Sequence, residues 1–206
     1  PRVSTTPRTS TPMHSPDLTY VGERAVVLGA AGFIGRHVAL ALGRRGAEVT
    51  AVDRPGCDAP LVGVDLARRE DVQTFLRETR PAYVFNLAGY GVLPQQRDER
   101  LARALNTILP ATLCMTLADT EAVLVHVGSA FEYGAVGGDL DELGPTQPTS
   151  QYAQTKRRGT LAIQLMGPQR GLRAVAARLF TVYGPGEQPH RSRPSTLRAP
   201  RTGETL

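Results

Sequence analysis

Lysine is almost missing from this chain: of 24 Lys and Arg side chains, Lys156 alone is a lysine. Tryptophan is absent, aromatic residues make up 5% of the sequence, and there are two cysteines. Cys57 and Cys114 have no metal-ligand spacing and are too few for a disulfide framework. No metal site is therefore expected, and a reducing, cytoplasmic setting fits best. No apolar run approaches the roughly 20 residues of a membrane span, and the N-terminus lacks the apolar segment of a secretory signal. The net charge of +5 comes from arginines spread along the chain. Nucleic-acid binding calls for a basic stripe with interleaved aromatics, and the densest basic stretch, His190 to Arg201, has none. Neither nucleic acid nor membrane is an expected partner.

What is present is one domain's worth of chain, 206 residues, enough for a sizeable core. Residues 1–21 are rich in Ser, Thr and Pro and read as a disordered leader. From 22 to 186 short apolar runs alternate with helical patterns. Strands are predicted at 25–28, 48–52, 82–87, 123–127 and 173–179, and helices at 33–45, 70–77, 98–119 and 151–166. This alternation predicts an α/β fold, a doubly wound parallel sheet of the Rossmann type with helices on both faces. Residues 187–206, with a helix predicted around 195–201, read as the start of a truncated substrate-binding region.

The first strand runs into Gly29-Ala30-Ala31-Gly32-Phe33-Ile34-Gly35, which opens a helix. Gly29 permits the tight turn, Gly32 lets the backbone approach a pyrophosphate, and Gly35 lets the helix pack closely. The helix N-terminus offers free N–H groups and a positive dipole end to phosphates. Asp53, ending the second strand, stands where a carboxylate bonds the ribose hydroxyls of NAD and repels the extra phosphate of NADP. Arg54 next to it could offset that repulsion, so NAD is the expected cofactor and NADP the alternative. Lys156 follows Tyr152 by four residues, which on a helix puts phenol and ammonium on one face. A lysine ammonium is compact and its pKa can shift, unlike the arginine fork. Tyr-x-x-x-Lys alone does not separate chemistry from a surface pair.

Taken together these residues resemble the extended short-chain dehydrogenase/reductase family, the nucleotide-sugar epimerases and dehydratases, over about Arg24 to Gly186. Asp65-Leu66 resembles its adenine-side acidic segment. Asn86-Leu87-Ala88-Gly89 resembles the segment under the cofactor, and Asn106 its fourth-helix asparagine. Ser129-Ala130-Phe131-Glu132-Tyr133-Gly134 resembles its active-site serine stretch. Arg178-Leu179-Phe180-Thr181-Val182-Tyr183-Gly184-Pro185-Gly186 resembles its Arg-x-x-Asn-Val-Tyr-Gly-Pro segment, with Thr181 in place of asparagine. The resemblance implies catalytic roles for Ser129, Tyr152, Lys156 and Asn106. It implies cofactor contacts for Gly29, Gly32, Phe33, Ile34, Gly35, Asp53, Arg54, Asp65, Leu66, Leu87, Ala88, Gly89 and Lys156. Ala130, Phe131, Tyr152 and Thr181 are its substrate-contacting positions. Relatives continue for roughly another hundred residues as a lid domain, so the lid is expected to be largely absent here. They often pair as homodimers through the helices matching 101–119 and 151–166.

The chemistry follows from the pair. A tyrosine with a pKa of about 10 is a poor base at neutral pH. An adjacent ammonium stabilises its phenolate. The phenol can then exchange a proton with a sugar hydroxyl while hydride moves to or from NAD. Pro110 cannot bond the Asn106 carbonyl four residues back, so a break in the helix is expected there; in relatives such a break admits a proton-relay water. Dehydratases of the family carry an Asp-Glu pair after the active-site threonine, where this chain has Ala130 and Phe131. Glu132, if the segment were extended, would lie on the other face. An epimerase or ketoreductase acting on a nucleotide-sugar is therefore expected. A ketoreductase of a non-sugar metabolite and a non-catalytic dinucleotide-binding module or truncated relic are the alternatives.

Overall fold

The computed structural model of the chain describes residues 19–187, except 59, 94 and 139. The expected leader, apart from residues 19–21, and the stretch from 188 to 206 lie outside the described residues. The fold begins inside the segment assigned to the leader. The Tyr20 N–H donates to the Arg45 carbonyl at 2.9 Å, and its ring meets Tyr83 edge-on with centroids 5.1 Å apart.

Six strands form one sheet in the order β3-β2-β1-β4-β5-β6, all neighbours parallel. They are β1 (Arg24–Leu28), β2 (Glu48–Asp53), β3 (Val62–Gly63), β4 (Tyr83–Asn86), β5 (Val123–Ser129) and β6 (Arg173–Leu179). This is the dinucleotide-fold order, with its switch point between β1 and β4. The two-residue edge strand β3 escaped the sequence reading, because two residues carry no period.

Parallel strands need crossover helices, and apolar alternation divides them between the faces. Ala25 and Val27 of β1 face one side with Leu42 of α1 (Phe33–Arg44). Val26, Leu28, Val84 and Leu124 face the other. There they meet Val72 and Leu76 of α2 (Arg69–Thr79), Leu109, Leu113 and Leu117 of α4 (Leu109–Leu117), and Ile163 of α5 (Gln151–Gln169). Each fully buried leucine contributes about 1.5–3 kcal/mol.

The long helix expected over 98–119 is not uniform. It starts as α3 (Glu99–Arg103), capped by the Asp98 carboxylate on the Arg100 and Leu101 N–H groups. It then winds as a π turn over Ala104–Ile108, with the Leu109 N–H donating to the Ala104 carbonyl, five residues back. Pro110 is the physical cause, since it has no N–H for the Asn106 carbonyl. The expected break is thus a wider turn within a continuing helix. The Asn106 carbonyl points at α5, where a Cβ on Gly159 would lie 2.1 Å from that oxygen and 3.0 Å from Pro110 Cγ. Glycine at 159 lets the two helices approach. Gly159→Ala is expected to cost about 1–3 kcal/mol of stability in urea unfolding. A loss of only a few tenths would show that the helices can separate freely.

Candidate active site

The predicted site residues gather at the C-terminal ends of the strands. Gly29 leaves β1 with φ of 80°, and a Cβ there would sit 2.7 Å from Ala88 N. Only glycine accepts both that torsion and that approach. A Cβ on Gly35 would lie 2.1 Å from the Gly29 carbonyl, which is the close helix packing expected of it. Gly32 is the N-cap of α1, exposed, with no side-chain cap and no acidic residue in the first turn. The first-turn N–H groups therefore have no carboxylate competing for them, and an anion fits. Asp53 Oδ2 accepts from the Ala31 N–H at 2.9 Å, and Oδ1 from the Arg54 N–H at 2.9 Å. The carboxylate at the end of β2 is thereby fixed against the glycine turn. The Arg54 side chain is exposed.

Other positions expected to touch cofactor are inward-facing. Leu66 and Ala88 belong to the buried core, and Leu87 packs on the α1 face. Contact from Leu66 or Ala88 could come only from the backbone. Asp65 Oδ1 accepts from the Ala67 N–H at 3.0 Å, closing a turn after β3. Asn86 turns into the sheet, where its Nδ2 donates to His126 Nδ1 at 3.1 Å. Burial, and then the charge of Lys156, hold that imidazole well below its ordinary pKa. Gly89 is exposed beyond β4.

Ser129 ends β5 and caps a single 3-10 turn, Ala130–Glu132. Its Oγ accepts from the Phe131 N–H at 3.2 Å, which leaves the hydroxyl proton and a lone pair for another partner. The extended geometry assumed for this stretch is corrected here. The turn brings Glu132 back, so that Oε1 accepts from the Ser129 N–H at 2.8 Å. Ser-x-x-Glu is a capping-box signature, and it was the available signal for this missed residue.

On α5, which starts at the Ser150 cap, Tyr152 and Lys156 share one face. Lys156 is 4% exposed, and its ammonium donates to the Val127 carbonyl at 2.6 Å. Burial pulls its pKa from 10.5 down to about 8, with the Glu132 carboxylate opposing the fall. A Cβ on Gly89 would lie 3.8 Å from Lys156 Nζ and 3.3 Å from Asn106 Oδ1, so the ammonium reaches the switch-point loop. Asn106 ties that loop to α5: its Oδ1 accepts from the Tyr90 N–H at 3.0 Å, and its Nδ2 donates to the Tyr90 carbonyl at 2.7 Å and Thr155 Oγ1 at 2.9 Å. A pocket of about 290 Å³ opens beside Tyr152, lined by Gly91, Val92, Phe131, Ser150 and Gln151. Phe131 is 60% exposed and meets the Tyr152 ring edge-on at 6.2 Å. Ala130 lies between them and Ser129 in sequence, whereas Thr181 is exposed beyond β6. Among the described residues no group of side chains could hold a metal ion, and no helix is long and apolar enough to cross a membrane.

The model of the NAD dependent epimerase/dehydratase family matches residues 25–202. The chain belongs to that family. It is 32% identical to a dTDP-4-dehydrorhamnose reductase of Streptomyces griseus over 168 residues, covering 81% of this chain and 53% of the reductase. It is 33% identical to a dTDP-6-deoxy-L-talose 4-dehydrogenase of Kitasatospora kifunensis, covering 81% and 55%. Among solved structures, the Thermus thermophilus UDP-glucose 4-epimerase complexed with NAD superposes with a TM-score of 0.75 at 30% identity, over 89% of this chain and 64% of that one. The chain thus spans about half the length of these curated relatives.

The buried ammonium makes stability depend on pH. Between about 8 and 10.5 the unfolded chain holds a proton on Lys156 that the folded chain has lost. The unfolded state binds more protons there, so Lys156 raises the free energy of unfolding as pH climbs across that window, by up to about 1.4 kcal/mol per unit, while above about 9 the Cys114 thiol, which burial pushes up to about 11, acts in the opposite sense. Chemical denaturation at stepped pH should show the stability of the unaltered protein rising with pH relative to that of Lys156→Met. Parallel curves would mean that Lys156 titrates normally.

Proposed function

We propose that this chain is the cofactor-binding and catalytic part of an NAD-dependent enzyme that transfers hydride at a hydroxyl-bearing carbon of a nucleotide-sugar, as a ketoreductase or epimerase. One observation carries the reading: the single lysine is buried one helical turn from Tyr152 and reaches Gly89, next to the Ala88 backbone on which the Gly29 turn packs. Lysine at that place has a chemical use that burial would otherwise oppose.

The family assignment and the NAD complexes of its members support NAD as the cofactor. The residues present fit it. The α1 N–H groups and Gly32 would receive the diphosphate, Asp53 the adenosine ribose, and Lys156 the second ribose. Bound NAD would supply or accept the hydride. The protein's part is proton handling and positioning. Below a pH of about 8 Lys156 carries its charge, and that charge favours the Tyr152 phenolate. Tyr152 then takes the proton from, or returns it to, the sugar oxygen. Ser129 holds the same oxygen by its remaining hydrogen-bonding capacity. Elimination of water finds no acid or base beside the serine, since Ala130 and Phe131 are inert and Glu132 is buried in other bonds. Phe131 and Val92 give the pocket an apolar wall, suited to the deoxygenated edge of a sugar. The deoxy-sugar relatives named above support that choice. Ile108, Met115 and Leu165 are exposed on the helices through which a homodimer would pair.

The test uses the full-length protein containing this chain, with NAD(H) and a panel of dTDP- and UDP-linked 4-hydroxy and 4-keto sugars. Tyr152→Phe should lower kcat by about 10²–10⁴-fold, while the Kd for NAD measured by calorimetry stays within a few-fold. Undiminished turnover in the variant would assign the proton to another group. Consumption of one NADH per turnover marks a reductase, and turnover with catalytic NAD marks an epimerase.

A further inference from the structure

Glu132 is a fully buried carboxylate with no part in the proton transfer above. Its Oε1 accepts from the Ser129 N–H at 2.8 Å and from Thr160 Oγ1 at 2.9 Å. Its Oε2 accepts from Arg178 Nε at 3.0 Å, in an ion pair whose side chains are 0% and 7% exposed. Burying such a pair gives little or no net stability against apolar residues of equal volume, whereas removing one partner costs about 3–5 kcal/mol. A capping box is served equally well by glutamine. Stability and turn geometry therefore do not call for a charge at this place.

Space has nonetheless been cleared for it. A Cβ on Gly128 would lie 2.6 Å from Glu132 Oε1, 2.9 Å from Thr160 Oγ1 and 3.4 Å from Arg178 Cγ, so the β5 backbone is bare where the carboxylate sits. Its bonds reach two catalytic elements. One is the backbone of Ser129. The other is α5 at Thr160, one helical turn beyond Lys156. Lys156 lies in the same interior, on the Val127 carbonyl. We propose that Glu132 is a positioning residue that fixes Ser129 through its backbone N–H and, tied to α5 one turn beyond Lys156, supplies the counter-charge for that ammonium. The proposal rests on the catalytic reading of Ser129 and Lys156.

The charged and titratable groups around that ammonium come from each packed element. His126 faces it from β5 and is kept neutral by burial. Glu132 comes from the 3-10 turn, Arg178 from β6, and Tyr152 and Arg157 from α5 itself. Arg157 is held through Nε on Thr146 Oγ1 at 2.6 Å. Asn106 and Gly89 approach from the π turn and the β4 loop and carry no charge. Glu132 is the acidic group whose charge opposes the fall in the lysine's pKa.

Because Lys156 is the only lysine, protein made with ¹³Cε-lysine gives one lysine resonance, and its pH titration reads this site directly. Two variants separate the two roles. Glu132→Gln removes the acidic charge and keeps an oxygen for the Ser129 N–H. Glu132→Asp keeps the charge and withdraws the oxygen by one methylene. In the unaltered protein the midpoint should fall near 8, and the Ser129 amide nitrogen should inflect at the same pH. Glu132→Gln should lower the midpoint by roughly one unit with the Ser129 amide signal little moved. Glu132→Asp should keep the midpoint, shift the Ser129 amide and speed its hydrogen exchange. An unchanged midpoint in Glu132→Gln would overturn the proposal, as would a fall in Glu132→Asp as large as in Glu132→Gln. If neither variant folds, a Ser129 amide that shows no inflection in the unaltered protein overturns it. None of these signals involves turnover, so they can fail while the assigned reaction stands.

Discussion

A single ammonium buried against the Val127 carbonyl organises this molecule. Taking a charge out of water is expensive, and the surroundings of Lys156 are arranged to bear that cost. A backbone oxygen receives it. The imidazole beside it, His126, stays neutral, so it adds no repulsion. An acidic side chain, Glu132, supplies attraction from the turn after β5. The helix that carries the lysine is pressed close enough by Gly159, seated on the π turn and Pro110, for the side chain to reach the loop beyond β4. Each of these choices would be wasteful in a domain that only had to fold.

The sheet supplies the place for that charge. Between β1 and β4 the chain direction of the crossovers changes, and a crevice opens at the C-terminal edge. Backbone crowding there leaves no room for side chains at Gly29 and Gly35. The first turn of α1, the Asp53 carboxylate and Gly89 lie at or just beyond the C-terminal ends of β1, β2 and β4, and the Lys156 ammonium lies 3.8 Å from a Cβ built on Gly89.

Much of this was legible from residues alone. The glycine spacing, Asp53, and the Tyr152-Lys156 pair stand at local spacings that translate directly into a turn, a strand end and a helix face. The parallel sheet with helices on both faces was implied by the alternation of elements, and the inert pair Ala130-Phe131 by side-chain chemistry. What escaped depends on three-dimensional closure. Glu132 looked misplaced because the stretch after Ser129 was taken as extended, although the capping-box spacing was there to be read. Leu66 and Ala88 were assigned to cofactor by position in a motif; that their side chains lie in the core, leaving the backbone for such a contact, was not visible in the motif. The π turn follows from the missing N–H of Pro110, yet its width and its seat on Gly159 come from helix packing that no local pattern encodes. The edge strand β3 is too short for any period, and Tyr20 is anchored by contacts with Arg45 and Tyr83 that lie far away in sequence.

The central claim is that the glycine turn and the buried ammonium serve one bound dinucleotide. A crystal structure of this chain grown with NAD tests it most directly. The account predicts the diphosphate on the N–H groups at the start of α1, a ribose hydroxyl on the Asp53 carboxylate, and the nicotinamide ribose within hydrogen-bond distance of Lys156 Nζ. A dinucleotide bound elsewhere, or a nicotinamide half pointing away from Lys156 and Tyr152, would contradict it.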